Sequence, residues 1–204
     1  MTFDALRPLA SKVIEPMAKS FVRNKISPNA LSLVSLLCAF LAGLCFFYSG
    51  SIPEFTLFAG IFVVLNSVLD ALDGEVARMS RKASLKGDFL DHIIDRYADV
   101  FIICGIFFAG YVPWQIGVVA IVGVLLTSYL GTQAQALNLG RYYGGIMGRA
   151  DRLVVIMLSA FANFAYPAKI ASFSILGWAI LLIAFTSHIT ALQRIFYIWN
   201  QLEE

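Results

Sequence analysis

Four aspartates lie within or at the edge of two strongly apolar stretches of the chain. Asp70 and Asp73 belong to one stretch, and Asp91 and Asp95 belong to the next. A carboxylate in a membrane-spanning segment is costly, so it normally faces a polar cavity, an ionic partner or a bound ion. The spacings of three and four residues place each pair on one face of a helix. Two antiparallel helices could therefore direct all four carboxylates at one another.

Carboxylates held this close repel one another at neutral pH, so bound cations or protonation must compensate. All-oxygen ligands favour Mg²⁺ or Mn²⁺, and two such metals can bridge a diphosphate while activating a nucleophile. We therefore expect two metals and a diphosphate substrate. Gly74 and Ala77 leave room beside the carboxylates, and Arg78 can clamp a phosphate. In the alternative interpretation, the aspartates only pair with nearby basic residues in a solvated collar: Arg78, Arg81, Lys82, Lys86 and Arg96.

The composition indicates that these residues sit in a membrane protein. Of the 204 residues, 59% are hydrophobic and 14% charged, and the mean hydropathy is +0.79, outside the balance of a soluble domain. We predict a single all-α integral membrane domain over residues 1–204, with a six-helix core over 29–199. A spanning helix needs about 20 apolar residues. Six segments meet this requirement: 29–50, 53–78, 87–111, 113–140, 150–167 and 170–199.

An amphipathic helix is expected to precede the first span, over residues 1–25. Its apolar residues recur at helical steps, opposite a mostly basic face that suits the membrane surface. The other interpretation is an ordinary packing helix. The apolar positions are Phe3, Leu6, Ala10, Val13, Met17 and Phe21.

The distribution of Lys and Arg predicts the orientation of the chain. Basic residues cluster before span one, between spans two and three, and between spans four and five, whereas the opposite loops contain one, Lys169. Basic residues mark the cytosolic side. We therefore expect a multi-pass protein of the cell membrane, with both termini and the aspartates facing the cytosol.

The motif around the aspartates resembles the signature of the CDP-alcohol phosphotransferase family, DxxDGxxAR(x8)GxxxDxxxD. It is matched at every fixed position: Asp70, Asp73, Gly74, Ala77, Arg78, Gly87, Asp91 and Asp95. The resemblance implies a homodimer with two Mg²⁺ or Mn²⁺ ions per active site, held by Asp70, Asp73, Asp91 and Asp95.

The same resemblance implies a role for further residues. Asp95 would also act as the base on the acceptor hydroxyl. Pro28 and Asn29 resemble a short element near the nucleotide, so the residues expected to bind the CDP-linked donor are Pro28, Asn29, Asp73, Gly74, Ala77, Arg78 and Gly87. The reaction would transfer a phosphatidyl or archaetidyl group from CDP-diacylglycerol or CDP-archaeol to an alcohol, releasing CMP. The apolar helices accept either type of lipid chain.

Four arginines near the cytosolic ends of spans four to six are candidates to bind a phosphorylated acceptor: Arg141, Arg149, Arg152 and Arg194. Guanidinium groups bind phosphate through paired hydrogen bonds. Residues Arg149 to Leu153 are similar to a stretch of the phosphatidylinositol phosphate synthase branch. Because the acceptor in that branch is inositol 1-phosphate, the resemblance favours inositol 1-phosphate as the acceptor. In that branch the SYxKxR-like end of span four supplies further cations, whereas here Ser128 and Tyr129 lead into Gly131, Thr132 and Gln133. Glycerol 3-phosphate and serine stay open as acceptors, and so does a purely topological role for the arginines.

Two other functions use buried carboxylates. A membrane prenyltransferase also binds a diphosphate through aspartates and Mg²⁺, but the glycine-rich motif and the small number of spans argue against it. A cation transporter is expected to show internal repeats and a site near the middle of the membrane. The sequence has no repeat between its halves, and its aspartates lie near one membrane face. Both alternatives are therefore less favoured than phosphotransfer.

Overall fold

The structure is a computed structural model that describes residues 7–82 and 84–202, with side chains from residue 12 onwards. The described residues form seven α-helices and one isolated bridge between Ile170 and Phe173, so the predicted all-α class is confirmed. The helices are α1 Arg7–Arg23, α2 Pro28–Ser49, α3 Phe55–Met79, α4 Leu85–Phe108, α5 Trp114–Ala136, α6 Arg149–Ala165 and α7 Ile175–Gln201.

Serine caps fix the starts of three helices. The hydroxyl oxygens of Ser27, Ser84 and Ser174 accept hydrogen bonds from backbone N–H groups in the first turns of α2, α4 and α7, at 3.1, 3.1 and 3.3 Å. Each cap satisfies a donor that the helix itself leaves unpaired. Ser174 explains why α7 begins five residues after the predicted start at residue 170. Similarly, α5 ends at Ala136 rather than at 140, because the chain turns through Asn138 at φ 62°.

Helices α2, α3 and α4 pack into one unit that holds the aspartates. The closest approach is between Gly43 of α2 and Gly105 of α4, where a side chain on either residue would collide with the other helix's backbone. Small residues allow this proximity between membrane helices. Buried apolar side chains such as Phe46, Val63 and Ile102 fill the space around the contact. This packing fixes the register of α4 against α2 and α3.

The second half of the chain completes the bundle. Helix α7 packs along α5, α6 packs against both α3 and α7, and α4 contacts α5. Four helices, α2, α3, α5 and α7, are long and apolar enough to cross a membrane. Helix α4 carries four aspartates, and α6 has only 17 residues with two arginines near its start. The molecule is thus an all-helical integral membrane protein in which α4 and α6 carry these charged residues.

Helix α1 packs against α3. Ala18 is fully buried, and Ile14 and Phe21 pack with it against apolar residues of α2 and α3. Val13, which the pattern placed on the apolar face, is instead 61% exposed. Val13 is exposed because α3 packs against the neighbouring side of α1, and not against the side that carries Val13. Of the other predicted apolar positions, Phe3, Leu6 and the side chain of Ala10 lie outside the described residues.

Candidate active site

The predicted aspartates meet where α3 and α4, both packed against α2, face each other. Carboxylate oxygens of Asp70, Asp73 and Asp91 lie within 4.8 Å of one another. Asp91 and Asp95 form a second such group with a ring nitrogen of His92. We call Asp70, Asp73, Asp91 and Asp95 the carboxylate cluster. The periodicity of the motif therefore placed four acidic groups correctly on facing helices.

A serine that the sequence did not single out positions one member of the cluster. The hydroxyl of Ser32 in α2 donates a 2.6 Å hydrogen bond to Asp73 Oδ2, and both residues are only 5% exposed. A buried carboxylate needs such a partner to stay ordered. Ser32 follows Asn29 by three residues, so it shares a helical face with the Pro28 and Asn29 element. The helical spacing between Asn29 and Ser32 is therefore the feature of the sequence that could have identified Ser32.

A cavity of about 270 Å³ opens on one side of the cluster. We call it the motif cavity, because every residue predicted to bind the donor lines it: Pro28, Asn29, Asp73, Gly74, Ala77, Arg78 and Gly87. The wall is completed by Asp91 and four further polar residues, Ser32, Lys82, Ser84 and Asp88. A Cβ atom added to Gly74 or Gly87 would meet its neighbours only at ordinary contact distances. Glycine at these two positions therefore leaves open a space that a side chain would occupy.

The guanidinium of Arg78 is engaged within its own helix. Its Nε and Nη2 lie 3.2 and 2.5 Å from Glu75 Oε2, and the Arg78 side chain is 68% exposed. An exposed pair of this kind contributes little to stability. The side chain can therefore turn towards a phosphate in the motif cavity at low cost.

A second cavity, of about 180 Å³, opens on the other side of the cluster. Asp95 and His92 lie on its wall, and Thr127, Ser128 and Tyr143 supply hydroxyl groups. We call it the arginine cavity, because its lining includes all four arginines predicted to bind a phosphorylated acceptor: Arg141, Arg149, Arg152 and Arg194. Members of the carboxylate cluster therefore line two cavities of different chemical character.

Two of these arginines present unpaired N–H groups. Arg152 Nη2 lies 2.8 Å from Asp99 Oδ2, whereas its Nε and Nη1 are buried without a hydrogen-bond partner among the described residues. Arg149 Nη1 lies 2.8 Å from both Asp70 Oδ2 and Asp95 Oδ1, and its Nε and Nη2 are unpaired in the same sense. Buried donors without acceptors are costly, so an anion in the cavity would be stabilised.

The other two arginines are engaged by the protein. Arg141 contacts Asp88 at 3.0 and 3.3 Å, and it also donates to Gln135 and Tyr143. Arg194, only 4% exposed, donates to the carbonyl oxygens of Gly144 and Thr127 at 2.9 and 2.6 Å. They hold the chain between α5 and α6 against the bundle. These two arginines therefore help to shape the arginine cavity by fixing the chain around it.

The donor set of the cluster suits a hard divalent cation. It consists of carboxylate oxygens, and Asp70 Oδ1 is buried without a hydrogen-bond partner among the described residues. Mg²⁺ and Mn²⁺ prefer oxygen ligands of this type, supplemented by phosphate oxygens and water. The residues present therefore fit the metals that the motif implies.

Comparison with known proteins supports the family that the aspartate motif resembles. Residues 25–199 match the family model described as CDP-alcohol phosphatidyltransferase. The archaetidylinositol phosphate synthase of Pyrococcus horikoshii is 31% identical over 198 residues, covering 97% of each chain. The phosphatidylinositol phosphate synthase of Mycobacterium marinum is also 31% identical, covering 95% of this chain and 82% of the relative.

Solved structures share the fold. The phosphatidylinositol phosphate synthase of Mycobacterium tuberculosis, crystallised with CDP-DAG bound, superposes with a TM-score of 0.73 at 23% identity, covering 92% of this chain and 94% of that one. The same synthase in complex with manganese and citrate also gives 0.73, covering 91% and 88%. At this identity the likeness establishes the architecture alone.

Proposed function

This chain belongs to the CDP-alcohol phosphatidyltransferase family, and on that premise we propose that it transfers a phosphatidyl or archaetidyl group from a CDP-linked lipid to inositol 1-phosphate. One observation carries the proposal. The carboxylate cluster contributes Asp73 and Asp91 to the cavity lined by the CDP-donor motif and Asp95 to the cavity lined by four arginines. A diphosphate donor and a phosphorylated acceptor can therefore approach the same cluster from two cavities.

The residues suggest how the reaction is organised. The motif cavity holds the cytidine diphosphate, with Arg78 and Lys82 beside its phosphates. Asp70, Asp73, Asp91 and Asp95 would hold two Mg²⁺ or Mn²⁺ ions, and bound ions would neutralise the diphosphate and stabilise charge on the leaving phosphate. Asp95 lies on the wall of the arginine cavity, so it can accept the proton of the acceptor hydroxyl. The hydroxyl oxygen then bonds to the lipid-linked phosphorus, and the bond from that phosphorus to the CMP oxygen breaks.

The arginine cavity favours a phosphorylated alcohol over a neutral one. Arg149 and Arg152 line this cavity, and each has two buried nitrogens without a hydrogen-bond partner among the described residues. Helix α6 begins at Arg149, on the same wall. Guanidinium groups and a helix N-terminus both attract a phosphate dianion. A neutral acceptor such as serine or free inositol would leave these groups without an acceptor. Relatives named as inositol phosphate lipid synthases support inositol 1-phosphate over glycerol 3-phosphate.

Competition between acceptors tests this assignment. Purified enzyme would receive labelled CDP-lipid and an equal mixture of inositol 1-phosphate, glycerol 3-phosphate, serine and free inositol, and mass spectrometry would identify the new lipid headgroup. We expect inositol phosphate to dominate. A serine or free inositol headgroup would show that the arginines do not select the acceptor.

Replacing Arg152 with alanine should weaken acceptor binding selectively. The loss of one charge-assisted contact costs about 1.5–3 kcal/mol, so the acceptor KM should rise roughly ten- to a hundredfold. The KM for CDP-lipid should barely change, because Arg152 lies outside the motif cavity. Arg78→Ala is the matched control, and its donor KM should rise instead. The reverse pattern in steady-state kinetics would contradict the roles assigned to the two cavities.

The membrane arrangement of the protein is also a proposal. We expect α2 to α7 to cross the membrane as six spans, with both termini and the carboxylate cluster on the cytosolic side of the cell membrane. The clustering of basic residues at one end of the helices supports this orientation. In this arrangement α4 and α6 place their charged first turns at the cytosolic face. The homodimer implied by the family resemblance remains a prediction.

A further inference from the structure

Arg149 touches both halves of the carboxylate cluster. Its Nη1 lies 2.8 Å from Asp70 Oδ2 in α3 and 2.8 Å from Asp95 Oδ1 in α4. The contact with Asp70 has hydrogen-bond geometry, whereas Asp95 Oδ1 has no hydrogen-bond partner among the described residues. A single nitrogen therefore neutralises two carboxylates that belong to the proposed metal ligands.

The same side chain also faces the arginine cavity. Arg149 lines that cavity, and its Nε and Nη2 are buried without a hydrogen-bond partner in the described part of the chain. Asp99 Oδ1 lies 3.9 Å from Nε. Arg149 is the first residue of α6, so its side chain extends from a helix end rather than from a packed helix face. Its guanidinium can therefore serve either the carboxylates or a ligand in the arginine cavity.

A divalent cation and the Arg149 guanidinium repel each other, so they compete for the carboxylate oxygens of Asp70 and Asp95. A metal held by Asp70 or by Asp95 would lie about 2 Å from the ligating oxygen, within a few ångströms of the positive guanidinium. The Arg149 side chain is only 18% exposed, so water screens this repulsion weakly. A phosphate in the arginine cavity acts in the opposite direction, because it attracts Arg149 away from the carboxylates.

We propose that Arg149 is a positioning residue that exchanges between the carboxylate cluster and the acceptor phosphate, so that metal binding and phosphate binding strengthen each other. This inference rests on the proposed function, since it needs both sites. The coupling is reciprocal by linkage. Couplings between sites typically amount to about 5- to 150-fold in affinity, and we expect about tenfold here.

Arg152 provides a matched control on the same helix. It carries the same charge, lines the same cavity and lies three residues later, but its ion pair is with Asp99 at 2.8 Å rather than with the cluster. Arg152→Gln should therefore weaken phosphate binding but keep the coupling between phosphate and metal. Arg149→Gln should change both.

The test is a titration of the purified full-length protein with Mn²⁺, followed by electron paramagnetic resonance of the free ion, with and without inorganic phosphate. In the wild type, phosphate should lower the apparent Mn²⁺ Kd about tenfold. Arg149→Gln should bind Mn²⁺ about tenfold more tightly without phosphate, and added phosphate should then have little effect. Arg152→Gln should need more phosphate but reach the same coupling at saturating phosphate. Thermal melting would verify that each variant is folded.

Two outcomes would overturn the inference. One is an Arg149→Gln protein that binds Mn²⁺ no more tightly than the wild type. The other is a phosphate effect of equal size in the wild type and in Arg149→Gln. A wild type that bound no Mn²⁺ would reject the proposed metal site and the inference together. Because the probe is inorganic phosphate, the predicted pattern would support the inference even if inositol 1-phosphate were not a substrate.

Discussion

Asp91→Asn should abolish CMP release together with metal binding. Asp91 belongs to both groups of potential ligands, one with Asp70 and Asp73 and one with His92 and Asp95. Loss of a residue that orients a metal ligand already costs about 10- to 100-fold, so loss of this shared ligand should cost more. The measurements are CMP release and Mn²⁺ binding by the purified variant.

Asp88→Asn is the control for this variant. Asp88 lies one turn earlier on α4, lines the motif cavity and pairs with Arg141, but it is outside the carboxylate cluster. Its replacement should leave Mn²⁺ binding close to that of the wild type. An Asp91→Asn protein that retained normal Mn²⁺ affinity and turnover would exclude Asp91 as a ligand. CMP release that persisted at full rate in EDTA would exclude the metals altogether.

Asp95→Asn should reduce turnover by about 10²- to 10⁴-fold, the usual contribution of a positioned general base. Asp95 is the member of the cluster that lines the arginine cavity, whereas Asp73 and Asp91 line the motif cavity. An asparagine keeps the shape of the side chain but cannot accept the proton. Binding of CDP-lipid should therefore change much less than kcat.

Binding of CDP-lipid and single-turnover CMP release, measured on the same Asp95→Asn preparation, would separate the two effects. Near-normal turnover would show that another group takes the proton. A loss of CDP-lipid binding as large as the loss of kcat would instead assign Asp95 to the donor site.

Periodicity predicted the carboxylate cluster well, because four residues on two long helices depend only on helical spacing. Asp70, Asp73, Asp91 and Asp95 needed no knowledge of the loops. The same spacing placed the donor motif along one cavity wall. Helix ends were less predictable: the bridge at Ile170 delays α7, and a turn at Asn138 shortens α5. Such turns depend on local contacts, which leave no periodic pattern in the sequence.

Contacts between distant parts of the chain could not be predicted from the sequence. The bond from Ser32 to Asp73 joins residues 41 apart, and the ion pair of Arg149 with Asp70 joins residues 79 apart. The segment before α6 is held by α7, where Thr190 accepts a bond from the N–H of Met147 at 3.1 Å. These contacts decide which arginines are free to bind a ligand. Charge pattern alone grouped all four arginines together.

The central claim is transfer from a CDP-linked lipid to inositol 1-phosphate, and one time course tests it most directly. Purified protein would be incubated with Mg²⁺, labelled CDP-diacylglycerol or CDP-archaeol and inositol 1-phosphate, and CMP and the labelled lipid product would be quantified together. We predict that CMP and a new inositol phosphate lipid appear in equal amounts, and only when the acceptor is present. CMP without the new lipid, or no CMP with either donor, would contradict the proposed function.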